Sequence, residues 1–318
     1  MTRPSWILPD GMEECLPAEA WAIEDARRAA LDLFRSHNFG LIMPPMVEYL
    51  ESLTSGVGHD LVDQVMTITD RVSGRLMGIR PDMTPQAARI DAHSLNEPGV
   101  TRLCYCGSVL RASATGADTS RAPVQLGAEI FGHAGLEADI EVLQLALDTV
   151  RLFVDGPLLI DVGHAGVLKA LLQGMDPATA SQCLTSLARK DRAALAEFAR
   201  SQPALSVLAN AYGDLDVVLS RHADLGQLGA TVYATDILAV RDAMRVRNAQ
   251  WYVDLGETHG FHYHTGLVFG IYALETDQLL VRGGRYDHVG ESFGRARPAT
   301  GFSCDLKTLV RQRGPRAS

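Results

Sequence analysis

Histidines, acids and arginines gather in a few stretches of this sequence, and each stretch admits a chemical and a structural reading. His259, His262 and His264 stand close together. Imidazoles presented on one strand face are a zinc geometry, but one or two of these could equally be exposed loop residues. Asp82 and Thr84 flank Met83 just before Pro85. They offer acceptor oxygens to a ligand, or they simply cap a helix that starts near Pro85. For Thr84 taken alone, capping is the favoured role. Gln125, Gly127 and Glu129 alternate in a run that reads as a strand, so they share one face, which lines a pocket or meets solvent. Arg282-Gly283-Gly284-Arg285 admits a plain tight turn as its bland reading, in which Arg285 pairs with Asp287 instead of meeting a ligand. The five cysteines are Cys15, Cys104, Cys106, Cys183 and Cys304. Cys104 and Cys106 fall on one sheet face, but no further ligands stand at metal-site spacing. They read as small buried residues in a reducing cytosol, and no metal is expected. Gly283-Gly284-Arg285 is too short for a nucleotide fingerprint, and no Gly-rich phosphate loop follows a strand.

The elements that must hold these residues follow from periodicity. Ile23, Ala26, Ala30, Leu33, Phe34 and His37 recur at helical spacing, which predicts a helix over 17–37 that opens on Pro17 and stops at Asn38-Phe39-Gly40. Pro44-Pro45 keeps 41–48 extended. Segments 65–69 and 75–79 read as a hairpin, 85–93 as a short helix, and 103–111 and 122–131 as antiparallel strands joined by a small, polar loop. A helix is expected over 136–154, with Glu137, Asp139 and Glu141 near its start where the dipole favours acids. From about 165 to 247 the composition turns to alanine, leucine and charge, and several helices are expected. Strands return at 250–255, 267–274 and 278–281, and a last helix covers 304–311. Strand-rich 1–164 and 248–318 therefore form one core, and 165–247 is a helical insert. This order argues an α+β fold, an antiparallel sheet flanked by helices.

The 318 residues are 47% hydrophobic and 21% charged, ordinary for a globular chain with a large core. No long uninterrupted apolar stretch and no secretory signal is found, so a cytoplasmic protein is expected. The formal charge of −9 argues against a broad basic surface for a large RNA.

Several segments, in order, resemble histidyl-tRNA synthetase, a class II aminoacyl-tRNA synthetase: Arg80-Pro81-Asp82-Met83-Thr84, Leu110-Arg111 with the loop to Arg121, Gln125 to Gly132, His259 to Gly266, and Gly283-Gly284-Arg285-Tyr286-Asp287. Pro298 to Phe302 looks like the start of the third class II motif. The resemblance runs from Trp6 to about Leu309. It implies a class II synthetase-like core in which Asp82, Thr84, Gln125 and Glu129 surround a ligand's ammonium group. Two carboxylates and two neutral acceptors are what such a donor requires. It further implies that Arg111 faces the ligand carboxylate and that Tyr263, His264 and Tyr286 read an imidazole ring. The family usually has tyrosine where His264 stands.

Departures from the family fall on its chemistry. The acid two residues after the second-motif arginine is replaced by Ser113. The third motif's Gly-Leu-Glu-Arg becomes Asp305-Leu306-Lys307-Thr308, and the arginine before the histidine-specific glycine becomes His259. ATP chemistry needs charge at those places. The resemblance reaches only the catalytic core of the synthetases, so no anticodon-binding domain and no tRNA are expected. A kept amino-acid pocket with lost chemistry is similar to the regulatory subunits of ATP phosphoribosyltransferase. That resemblance implies no catalysis and no cofactor. It implies a hetero-octamer with a short catalytic subunit, a homodimer through the first class II motif with Ile23, Leu33 and Phe34 in its interface, and histidine as a feedback effector. The competing readings are a divergent adenylate-forming synthetase and an RNA-binding module.

Overall fold

The computed structural model describes residues 6–56, 58–114, 120–200, 203–208, 210–221, 231–244, 246–258 and 263–313. Helix α1 (Pro17–Ser36) starts on Pro17 and ends at His37, after which Asn38 takes a left-handed backbone. Strand β1 (Gly40–Leu41) and an extended run lead to β2 (Val47–Tyr49), followed by α2 (Leu50–Thr54) and α3 (His59–Val62). The hairpin is present as β3 (Met66–Thr69) and β4 (Leu76–Ile79), and Asp70 shapes its turn by accepting from the Val72 and Ser73 amides. Helix α4 (Thr84–Arg89) runs into a π-helical turn, Ile90–Leu95, which closes at left-handed Asn96.

Strands β5 (Thr101–Ser108) and β6 (Val124–Phe131) precede α5 (Leu136–Arg151) and β7 (Leu158–His164). Next come α6 (Ala165–Leu172), α7 (Pro177–Ala188), α8 (Arg192–Phe198), α9 (Ala204–Leu208), β8 (Tyr212–Asp214), α10 (Leu215–Leu219) and α11 (Thr231–Ala243). Strands β9 (Ala249–Asp254), β10 (Leu267–Ala273), β11 (Gln278–Arg285) and β12 (Ala299–Asp305) and helix α12 (Leu306–Gln312) complete the chain.

Among the described residues, the large sheet has nine strands in the order β1-β5-β6-β12-β11-β10-β7-β9-β8, and a small sheet has the order β2-β4-β3. The middle of the large sheet is antiparallel, as the sequence predicts. The pairs β1–β5 and β7–β9 are parallel, so the sheet is mixed at its margins. The α+β class stands.

Segment 165–247 is mostly helical, but β8 lies inside it and pairs with β9, so part of it joins the sheet edge. Its helices also share the main core. One cluster of buried side chains includes Phe34 of α1, Leu145 of α5, Ile160 of β7, Leu187 of α7 and Ile237 of α11. Each such side chain contributes about 1.5–3 kcal/mol through burial. A second cluster holds Met83, Tyr105, Phe131, Tyr286 and Val289, with Tyr263 packed against it.

The structure corrects three expectations. Phe34 is fully buried and meets Phe302 edge-on at 5.9 Å, while Ile23 and Leu33 pack against the same core. Phe34 is a core residue of the single chain, and Ile23 and Leu33 are partly buried against it. Arg282 to Arg285 is not a tight turn but the end of β11, where Gly283 lies against the Phe269 ring and the Gly301 carbonyl. His264 lies outside every described strand, so the same-strand imidazole reading does not hold for it. His259 and His262 lie outside the described residues.

Candidate functional site

Strand register sets the floor of the site. Leu103, Glu129, Gly301, Gly284, Val268 and Gly163 line up across six adjacent strands and so face the same side. Three of them are glycines, which leaves space above the sheet. Neighbours use that space: a Cβ on Gly301 would strike the Glu129 carboxylate, and one on Gly284 would come within 2.8 Å of the His264 ring. These glycines are required by close approach, not by an unusual φ.

Glu129 sits at the centre of the site and is only 1% exposed. Thr84 Oγ1 donates to its Oε1 at 3.0 Å and the Tyr105 hydroxyl donates to the same oxygen at 2.8 Å. The Tyr286 hydroxyl donates to Oε2. The solvent-facing reading of this strand face is therefore wrong. Burial pushes the Glu129 carboxyl up to about 8, because the three hydroxyl donors do not fully offset desolvation and Asp82 adds like charge. The site thus holds a carboxyl that is mostly protonated at pH 7 and ready to ionise beside a cation.

Asp82 and Gln125 extend this acceptor group. Asp82 Oδ1 accepts the Thr84 amide at 2.7 Å and the Gln125 side-chain amide at 3.0 Å. Gln125 Oε1 accepts the Met83 amide at 2.8 Å. The helix-entry role therefore falls to Asp82. Thr84 is the first residue of α4, and its hydroxyl goes to Glu129 and to within 2.9 Å of the Tyr105 hydroxyl. Capping is the wrong reading for Thr84. Arg80 fixes the approach to this turn: buried, it donates to the Pro44 carbonyl at 2.6 Å and the Ser108 carbonyl at 3.0 Å.

An aromatic wall meets the acceptors at Glu129. Tyr263 stacks on Tyr286 at 5.0 Å and 25°, and His264 meets Tyr263 edge-on at 5.4 Å. The Tyr263 hydroxyl is buried and has no hydrogen-bond partner among the described residues. A buried hydroxyl can take a water or a polar ligand atom. Burial raises the phenols of Tyr105, Tyr263 and Tyr286 well above the usual range, so all three stay neutral at physiological pH.

The structure thus brings together Asp82, Thr84, Gln125, Glu129, Tyr263, His264 and Tyr286. Arg111 stands half-buried at the start of the motif loop, where its amide donates to the Arg121 carbonyl at 2.8 Å and its carbonyl accepts from Arg121 Nε at 3.1 Å. Sequence reasoning missed Tyr105. The signal was there: if Cys104 and Cys106 share one face of a strand, Tyr105 points to the other, where it packs on Gly127 beneath Glu129.

The departures are built into local structure. The Ser113 amide donates to Gln64 Oε1 at 3.2 Å, and Gln64 Nε2 donates to the Ser113 hydroxyl at 3.0 Å. Asp305 caps α12 by accepting the Lys307 amide, and it also accepts the Val124 amide at 3.0 Å. Thr308 donates to Asp305 Oδ2 at 3.2 Å. Lys307, nearly buried, donates to the Ala122 carbonyl at 3.0 Å. These contacts spend the polar groups of Ser113, Asp305, Lys307 and Thr308 on the protein itself. Among the described residues no group of three or more His, Cys, Asp or Glu is placed to hold a metal, and no helix is long and apolar enough to cross a membrane.

Known proteins resemble this chain over nearly its whole length. The family model described as histidyl-tRNA synthetase matches residues 11–309. A protein of Cupriavidus necator named ATP phosphoribosyltransferase regulatory subunit is 48% identical over 312 residues, covering 96% of this chain and 81% of the relative. A protein of the same name from Bordetella avium is 47% identical, over 96% of this chain and 82% of its own length. Among solved structures, an ATP phosphoribosyltransferase regulatory subunit/histidyl-tRNA synthetase from Bacillus halodurans superposes with a TM-score of 0.83 at 24% identity, covering 99% of this chain and 85% of that one. A histidyl-tRNA synthetase from Nostoc gives a TM-score of 0.76 at 19% identity, over 97% of this chain and 74% of that one. Both structures share its fold.

Proposed function

Because the chain belongs to the histidyl-tRNA synthetase-like family, on the branch of ATP phosphoribosyltransferase regulatory subunits, we propose that it regulates through a histidine site built on Glu129. It is a non-catalytic regulatory subunit in histidine biosynthesis, and its partner is the ATP phosphoribosyltransferase catalytic subunit. One observation carries the site reading. The acceptor cluster of Asp82, Thr84, Gln125 and Glu129 is assembled, with Gln125 and Glu129 buried and Asp82 and Thr84 half-buried, while Ser113 and Thr308, which replace residues of the adenylation chemistry, are tied to Gln64 and Asp305.

Histidine fits this arrangement group by group. Its ammonium is received by Asp82, Thr84, Gln125 and Glu129, its carboxylate by Arg111, and its ring by Tyr263, His264 and Tyr286. Glu129 lies where the two halves meet, since it bonds both Thr84 and Tyr286. The unpartnered Tyr263 hydroxyl supplies a polar contact to a ring nitrogen. Occupancy lowers the activity of the catalytic subunit by favouring one state of the complex over another. The assembly is a cytoplasmic hetero-octamer with a short catalytic subunit, and this chain binds neither tRNA nor membrane. Calorimetric titration tests the site. Histidine binds saturably at one site per chain, and lysine, lacking the ring, does not compete. Absence of a histidine heat at millimolar ligand contradicts the reading.

The chain also forms a homodimer through its first-motif region, on a different set of residues from the one the sequence suggests. Trp21 is 64% and Met43 80% exposed, and Leu41 and Met46 beside them are also open to solvent. Exposed apolar side chains on adjacent elements suit an interface. Light scattering at tens of micromolar should give twice the chain mass, and a Trp21→Asp/Met43→Asp variant should shift toward the single-chain mass. A wild-type monomer at that concentration contradicts the dimer.

A further inference from the structure

Tyr286, just after β11, closes over Glu129, stacks on Tyr263 and donates its amide to the Ala299 carbonyl, and a further hold on this stretch comes from the residue before it. That residue is Arg285. Its guanidinium is nearly buried and binds Asp139 Oδ2 of α5 twice, from Nη2 at 2.8 Å and from Nε at 3.0 Å. It also donates to the Gly135 carbonyl at 3.0 Å and the His133 carbonyl at 3.1 Å, in the loop that leaves β6. Nη1 lies 3.3 Å from Asp287 Oδ1, which accepts the Ala299 amide at 3.0 Å, while Asp287 Oδ2 accepts from the Thr265 hydroxyl at 3.0 Å. The Arg285 carbonyl accepts the Thr265 amide at 2.7 Å, and Gly266 packs on the Arg285 side chain. The guanidinium therefore ties α5 and the loop leaving β6 to the end of β11 and, through Asp287, reaches Thr265 in the segment carrying Tyr263 and His264, while the Arg285 main chain holds Thr265 directly. A planar donor with several directed N–H groups does this, and an ammonium cannot.

We infer that Arg285, paired with Asp139, is a positioning residue that sets the Tyr286 hydroxyl on Glu129 and the Tyr263–Tyr286 stack beside it. The proposal rests on the histidine reading of that site, but its test does not. The groups facing Glu129 are Asp82, Thr84, Tyr105, Tyr263 and Tyr286, from the α4 turn, β5, the segment before β10 and the end of β11. Among them, Tyr286 is the largest of the hydroxyl donors that favour the carboxylate. Displacing it must raise the pH at which Glu129 ionises.

Carbon-13 NMR of the Glu129 carboxyl, assigned by its loss in Glu129→Gln, reads this in the free chain. Two variants are compared with wild type. Arg285→Lys keeps the charge and loses the fork. Arg285→Met with Asp139→Leu removes the buried pair as a neutral unit, leaves only the half-buried Asp287 without the guanidinium and so protects the fold. The midpoint, near 8 in wild type, is expected to rise by about one unit in both, and histidine affinity should fall tenfold or more. An unchanged midpoint in either folded variant overturns the inference, because a merely structural role would not move it. A wild-type chain that fails to bind histidine counts against the proposed function instead, and the midpoint still decides the role of Arg285.

Discussion

Replacing Glu129 by Gln should weaken histidine binding by about 1.5–3 kcal/mol, the range for hydrogen bonds to a charged group. That is a loss of tenfold to more than a hundredfold. The change keeps the shape of the side chain and removes its charge. The measurement belongs at pH 8.5, because the carboxyl is held at about 8 by burial and wild type at pH 7 must first ionise it. Linkage fixes the sign. A ligand cation favours the carboxylate, so wild-type affinity rises as pH rises toward 8, by about fivefold between pH 7 and 8. The neutral variant should show no such rise from this group. The same shift acts on the fold with the opposite sense. A carboxyl raised above its unfolded value of 4.5 contributes stability that is full below that value and lost as pH passes 8. Glu129→Gln should therefore gain melting temperature relative to wild type at pH 9, and not at pH 4. Equal affinity of the two chains at pH 8.5 would place the effector elsewhere.

The second large effect is an absence. Histidine-dependent exchange of pyrophosphate into ATP should stay at the no-enzyme background, even at micromolar chain. The adenylation step needs cations along the triphosphate. Here Thr308 bonds Asp305, Lys307 is spent on the Ala122 carbonyl, and Ser113 is held by Gln64. Restoring one position by Thr308→Arg should not restore exchange, because Lys307 and Ser113 remain held by Ala122 and Gln64. Exchange that rises with histidine above background would return the chain to the synthetases.

Much of this fold could be read in advance because its elements are strongly periodic. The α1 helix, the β3–β4 hairpin and the β5–β6 pair fall within a few residues of their expected places. What escaped was tertiary. Helical spacing marks Phe34 as apolar but does not say which apolar surface covers it, and Phe302 is far along the chain. The glycines of β11 look like a turn until the Phe269 ring and the Gly301 backbone are seen pressing on them. Thr84 before a proline signals a cap, yet its hydroxyl is taken by Glu129, from a strand that pattern alone left open to solvent. Tyr105 was legible from strand parity. The hub at Arg285 was legible only as a pair with Asp287, because the partner Asp139 comes from a helix distant in sequence.

Regulation of a separate catalytic subunit through bound histidine is what the Glu129 site is proposed to serve. Its most direct test is a reconstituted assay with a short ATP phosphoribosyltransferase catalytic subunit from the same genome. Adding this chain should raise the phosphoribosyl transfer rate and histidine should then lower it; at pH 8.5, where the wild-type carboxyl is mostly ionised, Glu129→Gln should support the same rate while needing at least tenfold more histidine for inhibition. A rate indifferent to the chain, or inhibition unchanged in the variant complex, would contradict it.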